Sequence, residues 1–255
     1  MKTFNSFFSL FTFVILCFAN ISLQAQIQAM PGSHLTSNQF TSAQIVGYGG
    51  NAVAIYNKPN GFTNVQLASY SVNSSGEIQQ LDTEDFGDCG SQRLVMLDGK
   101  RVIVAMRNKN QNHEVRVYDL DNAGKISKKD WWASTGGGAV NPLSQNVERL
   151  TSSSFVSVVV DGGTFRILSF TVNSSGNITF KDDDTHNIAG NAVYIKRMSS
   201  SRVIVGIKNT NNVMKLICYD INASTGVLSK KGEVQISNVR QATMSAFGGR
   251  QDSSL

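Results

Sequence analysis

Ser169-Phe-Thr-Val-Asn-Ser-Ser-Gly176, running on into Asn177-Ile-Thr-Phe-Lys181, is the passage that decides the fold. Apolar and polar residues alternate on both sides of a short Asn/Ser/Gly stretch, the pattern of two strands joined by a tight turn. Asn, Ser and Gly accept positive φ at low steric cost, which such turns require. The passage recurs three times. Its copies are Ser69-Tyr-Ser-Val-Asn-Ser-Ser-Gly76 before Glu77-Ile-Gln-Gln-Leu81, Val117-Tyr-Asp-Leu-Asp-Asn-Ala-Gly124 before Lys125-Ile-Ser-Lys-Lys129, and Cys218-Tyr-Asp-Ile-Asn-Ala-Ser-Thr-Gly226 before Val227-Leu-Ser-Lys-Lys231. The turn glycines stand 48, 52 and 50 residues apart.

Working outward, each copy is preceded by a second shared strand: Ala52-Val-Ala-Ile-Tyr56, Val102-Ile-Val-Ala-Met106, Phe155-Val-Ser-Val-Val-Val160 and Val203-Ile-Val-Gly-Ile207. Shorter pieces beginning Gln92-Arg-Leu94, Glu148-Arg-Leu150 and Lys196-Arg-Met198 come before these. Each unit therefore reads as four short strands, with no sustained helical periodicity. One such unit cannot bury both of its faces alone. Units of this size set face to face around an axis can, and the expected fold is an all-β propeller of four-stranded blades. A stack of sandwich domains would repeat at about 100 residues instead. Approximate repeats are 39–88, 89–140, 141–190 and 191–238, with 239–255 resembling the first strand of a fifth. Either the ring is small and the ends complete a shared blade, with 26–40 adding a closing strand, or the chain is a segment of a larger propeller.

Residues 1–25 read as an export signal. Lys2 precedes the apolar stretch Phe7 to Phe18, and Leu23-Gln24-Ala25 offers a small-residue cleavage site. The uninterrupted apolar run is shorter than the roughly 20 residues needed to cross a bilayer. The mature chain is thus expected to be secreted, extracellular or periplasmic, with no membrane span. Without that segment it carries 22 basic and 18 acidic residues, a net charge of +4. Adjacent basic residues, Lys128-Lys129 and Lys230-Lys231 among them, occur only as isolated pairs, so no basic stripe marks a nucleic-acid partner. Charged residues make up 16% of the chain, below the roughly 25% of ordinary soluble domains. Apolar residues at 41% nevertheless exclude a disordered chain. Cys89 and Cys218 remain after cleavage; an oxidising compartment permits a disulfide, while the strand pattern around Cys218 favours free thiols.

The Tyr/Phe-x-Val/Leu/Ile-Asn/Asp-x-x-Gly-x-Ile/Leu pattern resembles the repeats of secreted lactonase-type propellers, also called YVTN repeats. The resemblance implies a propeller fold and, as one functional reading, a hydrolase or lyase with its active site at the channel mouth. The Pro-containing turn of that family is missing here; Leu97-Asp-Gly-Lys-Arg-Val102 is its nearest equivalent.

Candidate ligand-binding residues fall in two sets. Arg93, Arg149, Arg197 and Arg240 recur near the start of each unit, where the first strand of a blade lines the central channel. They would either ring the channel with planar donors for anionic groups or tie neighbouring blades together. Trp131 and Trp132 are adjacent in a strand, so one ring faces the core and the other faces solvent, where it can stack on a sugar. Two acidic groups, Asp182-Asp-Asp184 with His186 and Glu84, Asp85 and Asp88, are either metal or acid–base sites or solvated strand edges. Neither a Gly-x-Ser-x-Gly elbow nor a phosphate loop is present, and no cofactor is expected. The leading expectation is a non-catalytic binding module for a glycan, cell-surface polymer or protein partner.

Overall fold

The computed structural model describes residues 43–58, 64–134, 144–161, 163–222 and 224–239; the signal region, His34, Gly136–Gly138, Arg240 and the strand read at 239–247 beyond its first residue lie outside them. The described residues form sixteen strands and no helix, arranged as four antiparallel four-stranded sheets, the blades of a β-propeller. The first sheet holds β1 (Ala43–Tyr48), β2 (Asn51–Asn57), β3 (Asn64–Val72) and β4 (Ile78–Asp88). The second holds β5 (Gly90–Met96), β6 (Arg101–Arg107), β7 (His113–Leu120) and β8 (Ile126–Ala133). The third holds β9 (Ser144–Thr151), β10 (Ser154–Val160), β11 (Phe165–Val172) and β12 (Ile178–His186). The fourth holds β13 (Ala192–Ser199), β14 (Arg202–Lys208), β15 (Met214–Ile221) and β16 (Leu228–Ile236). Strands lie side by side in chain order because every connection within a sheet is short. The first strands β1, β5, β9 and β13 approach one another in that sequence.

The second strand of each blade explains why single sheets do not stand alone. In β6 every residue from Arg101 to Met106 is buried, which a sheet with one wet face does not allow. Val102, Val104 and Met106 pack against Val53 and Ile55 of the first sheet. Their alternating neighbours Ile103 and Ala105 pack against Phe155 and Val159 of the third. The pattern repeats one blade on, where Val156, Val158 and Val160 meet Val203, Val205 and Ile207 of the fourth. Each such side chain removed from water contributes about 1.5–3 kcal/mol, so the interleaved stacks dominate stability. Among the described residues no apolar cluster joins the first sheet to the fourth.

A second device locks each sheet to the next. The fourth strand of every blade carries a bulge, and the residues skipped in the pairing are Leu81, Lys129, Lys181 and Lys231. On the following sheet the turn glycine sits directly against the bulge. A Cβ added at Gly176 would lie 2.7 Å from Lys129 Cβ, and one at Gly226 would lie 2.5 Å from Lys181 Cβ. Immediately after the bulge, an aspartate reaches across. Asp82 accepts the Ile126 N–H at 2.7 Å, Asp130 that of Ile178 at 2.9 Å, and Asp182 that of Leu228 at 2.8 Å. Bulge, carboxylate and glycine are one joint used three times.

The joint takes two forms. From first to second sheet, and from third to fourth, a serine hydroxyl completes it: Ser69 donates to the Gly124 carbonyl at 2.5 Å and Ser169 to that of Gly226 at 2.6 Å. From second to third, Arg101 takes this part. Asp119 holds its guanidinium at 2.6 and 3.0 Å, and it donates to the carbonyls of Asn173 and Ser174 at 2.8 and 3.2 Å.

Candidate functional site

Three segments meet in a cleft between the first and second sheets. The end of β4 supplies Phe86 and Asp88, the link to β5 supplies Cys89, and the turn after β6 supplies Asn108, Lys109 and Asn110. Glu114 and Arg116 of β7 and Trp131 of β8 complete the walls, around a volume of about 330 Å³. Glu114 and Arg116 are two apart in one strand and so share a face. That face turns toward the first sheet, because Arg116 lies opposite Val104 and Trp131.

The cleft's charges are largely internal pairs. Arg116 Nε lies 2.5 Å from Glu114 Oε1, and Asn108 donates to the other Glu114 oxygen at 2.9 Å. The Arg116 guanidinium also sits over the Phe86 ring, 5.1 Å from its centre. Burial pushes the Cys89 thiol up to about 12, so it is protonated at neutral pH and a poor nucleophile. Trp131 remains as a large apolar surface open to water, 52% exposed. Lys128 Nζ lies 5.9 Å from the centre of its ring. The Trp131 backbone N–H donates to Asp130 at 2.8 Å, the same carboxylate that joins the second sheet to the third.

The tryptophan pair behaves as strand alternation requires. Trp132 turns to the opposite side, where its ring stacks on Phe180 at 5.5 Å and meets Phe170 edge-on at 5.2 Å. The two rings therefore divide between solvent and core.

Of the described arginines, Arg149 and Arg197 share a position and Arg93 does not. Arg149 lies opposite Phe155, and Arg197 opposite Val203. These are equivalent positions, since Phe155 and Val203 pair in turn with the motif aromatics Phe170 and Tyr219. In the second sheet the equivalent residue pairs with Tyr118; it is Val102, and its first-strand partner is Met96. Arg93 stands three residues earlier, opposite Ala105 and on the other face. Arg93 stands nine residues before Val102, whereas Arg149 and Arg197 stand six before Phe155 and Val203, so the offset lies in the sequence spacing itself. Arg197 donates to the Leu150 carbonyl of the preceding sheet at 2.9 Å, the blade-tying role. Arg93 donates to the Gln92 carbonyl at 2.8 Å, and burial lowers its pKa. The Arg149 Nε is buried with no hydrogen-bond partner.

The two acidic groups differ in exposure: Asp85 and Asp88 are exposed on the outer strand of the first sheet, while Asp182, Asp183 and Asp184 are half-buried and paired. Asp182 belongs to the blade joint described above. Asp183 binds Arg166 at 2.8 Å. Asp184 receives the Tyr219 hydroxyl at 3.0 Å and stands 2.8 Å from His186 Nε2. Asp85 pairs with Lys58 at 2.7 Å, which holds its carboxyl below the usual range. Among the described residues no three His, Cys, Asp or Glu side chains are grouped to hold a metal. Among the described residues Cys89 and Cys218 are free thiols, Cys89 buried and Cys218 half-buried on the outward face of the fourth sheet.

His113 is the buried polar centre of the second and third sheets, fully enclosed between Gln145 Oε1 at 2.6 Å and Ser157 Oγ at 3.1 Å. Gln145 also donates to the Ser91 carbonyl at 2.8 Å, tying β9 to β5. Burial drives the His113 pKa from 6.5 down to about 4. The folded state thus favours the neutral ring, while the unfolded chain binds a proton below 6.5. The stabilisation is complete above pH 6.5 and is lost as pH falls from there toward 4, at about 1.4 kcal/mol per pH unit and about 3 kcal/mol in all. Urea unfolding of wild type and His113→Gln across this range is expected to show the wild type weakening more steeply with acid.

No protein-family model matches the sequence, and no curated protein matches it. Among solved structures, a protein from Lactobacillus plantarum is similar at 16% identity and a TM-score of 0.49, over 72% of this chain and 54% of that one. The chain thus spans about half the length of that protein.

Proposed function

We propose that this is an exported, non-catalytic propeller that binds a carbohydrate ligand in the cleft between its first two sheets. The observation that carries the reading is Trp131: a large ring left half in water at the mouth of a polar cleft, on a strand whose next residue is built into the core. A tryptophan face accepts the C–H face of a sugar ring, while flanking polar groups take its hydroxyls. Asp88, Lys109 and Asn110 supply such groups beside Trp131. The mutual pairing of Glu114 and Arg116 leaves the floor with little net charge, which favours a neutral polyol over a strong anion. The volume of about 330 Å³ is at the small end of ligand sites, which run from roughly 300 to 1,000 Å³. Export is supported by residues 1–25 of the sequence.

The test is a glycan array followed by calorimetric titration of the oligosaccharides that bind. Trp131→Ala is expected to weaken binding at least about tenfold, as removal of a central aromatic anchor does, with an unchanged circular-dichroism spectrum. Binding that survives this change, or no glycan bound at all, contradicts the proposal. Hydrolysis of lactones that a chelator abolishes would replace it with the hydrolase reading.

A further inference from the structure

The fourth sheet has an outward face built like the face with which the second sheet grips the third. In the second sheet the grip consists of Arg101, Asp119 and the bulge residue Lys129, with Lys129 Nζ 3.6 Å from Asp119. Its target is the turn Asn173-Ser174-Ser175-Gly176. The fourth sheet repeats the trio: Arg202 is held by Asp220 at 2.5 and 2.9 Å, and the bulge residue Lys231 lies 3.8 Å from Asp220. The Arg202 side chain is 51% exposed, against 6% for Arg101. An open hollow of about 720 Å³ lies beside Asp220 and Asn222. The chain contains the tetrapeptide Asn-Ser-Ser-Gly in one other place, Asn73 to Gly76 on the first sheet. That turn has the same left-handed glycine, with φ at 82° for Gly76 and 90° for Gly176.

We infer that the fourth sheet of one copy receives the first sheet of a second copy, with Arg202 gripping the Asn73–Gly76 turn as Arg101 grips Asn173–Gly176. The apolar faces agree with this pairing. Ile204 and Leu216 look outward from the fourth sheet, where Val234 beside Leu216 is 56% exposed. On the outward face of the first sheet Ala54 lies between Ile45 and the buried Ala68, with Tyr56 and Tyr70 on either side, and Ile45 is 59% exposed. The aliphatic side chains of the fourth sheet are matched by Ile45 and the shallow step at Ala54 between the tyrosines. Because the two faces differ, the contact is head-to-tail. Two copies joined at both ends make eight blades, within the range of known propellers. One element is absent: the position of Asp82, Asp130 and Asp182, next after the bulge, is Gly232 in the fourth sheet. The contact between copies is therefore weaker than the joints within the chain, and reversible.

The full chain, expressed for export, is measured by size exclusion with light scattering across micromolar concentrations. A species of two chains is expected. Leu216→Glu, Ala54→Arg and the surface change Ile45→Glu are each expected to yield single chains with unchanged circular dichroism. Arg202→Ala is expected to raise the dissociation constant at least tenfold. An equimolar mixture of Leu216→Glu and Ala54→Arg returns a two-chain species, because one of the two junctions is then unaltered. Single chains for the wild type, or a dimer that only the Leu216 change dissociates, overturns the inference. None of these outcomes bears on the Trp131 cleft, which lies between the first and second sheets of one copy.

Discussion

Gly176→Ala is expected to lower the stability of the whole propeller by about 2–5 kcal/mol. Two costs add. Gly176 has φ at 90°, which an L-residue adopts at about 1–2 kcal/mol. The new methyl would then lie 2.7 Å from both Cβ and Cγ of Lys129. Lys129 cannot swing its Cβ aside, because that atom is fixed to the bulge of β8, so the sheets themselves must part. Forcing such overlap in a packed joint costs about 1–3 kcal/mol. The displacement also draws the Asn173 and Ser174 carbonyls away from Arg101, leaving that buried guanidinium with Asp119 alone. Chemical denaturation of the variant, read by far-UV dichroism, measures the loss. Gly99→Ala, where nothing lies within 4 Å of the added atom and φ is ordinary, is the matched control and is expected to change stability by less than about 0.5 kcal/mol.

Phe170→Ala is expected to cost about 3–5 kcal/mol, the range for removing a buried aromatic side chain. Phe170 is 1% exposed and stands at the centre of an aromatic group drawn from two blades. Phe155 stacks on it at 4.9 Å, Trp132 meets it edge-on at 5.2 Å, and Phe180 lies at 5.8 Å. The cavity left behind would be walled by rings that their own strands hold in place, so the site cannot collapse to fill it. Phe170→Leu restores most of the volume and is expected to recover more than half of the loss. Because Trp132 borders the cavity, its emission is expected to shift to longer wavelength in the alanine variant well before global unfolding. Equal losses for the leucine and alanine variants would show that ring geometry, and not filled volume, supplies the energy.

The strands and their grouping were legible in the sequence because the period of two along a strand and the turn chemistry at Gly76, Gly124, Gly176 and Gly226 are local properties. Trp131 and Trp132 were separable for the same reason. The blade joint was visible in outline only. Asp82, Asp130 and Asp182 recur at intervals that match the turn glycines, but Asp182 sits in a run of three acids and reads as part of a charged cluster. What distinguishes it is the bulge one residue earlier, and a bulge is a property of pairing with β11 that one strand alone does not display. Arg93 shows the converse error. It recurs near the start of its unit as Arg149 and Arg197 do, but it stands nine residues before Val102 where they stand six before Phe155 and Val203, and the residue six before Val102 is Met96. The cleft was the least legible feature. Its walls come from the end of β4, the turn after β6, and two outer strands, and only the stacking of the first sheet on the second brings Asp88 and Trp131 together. The i, i+2 pair Glu114 and Arg116 was the available signal, since opposite charges on one face of a strand otherwise rich in valine call for a reason.

The most direct test of the proposed binding site is the emission of a single-tryptophan chain, Trp132→Phe, titrated with an oligosaccharide taken from the array. Trp131 then reports alone. Its ring is half in water in the free protein, so stacking of a sugar is expected to shift its emission to shorter wavelength and to protect it from iodide quenching, with both changes saturating at the calorimetric dissociation constant. A ligand that binds with that affinity yet leaves the wavelength and the quenching of Trp131 unchanged would place the site elsewhere and contradict the account.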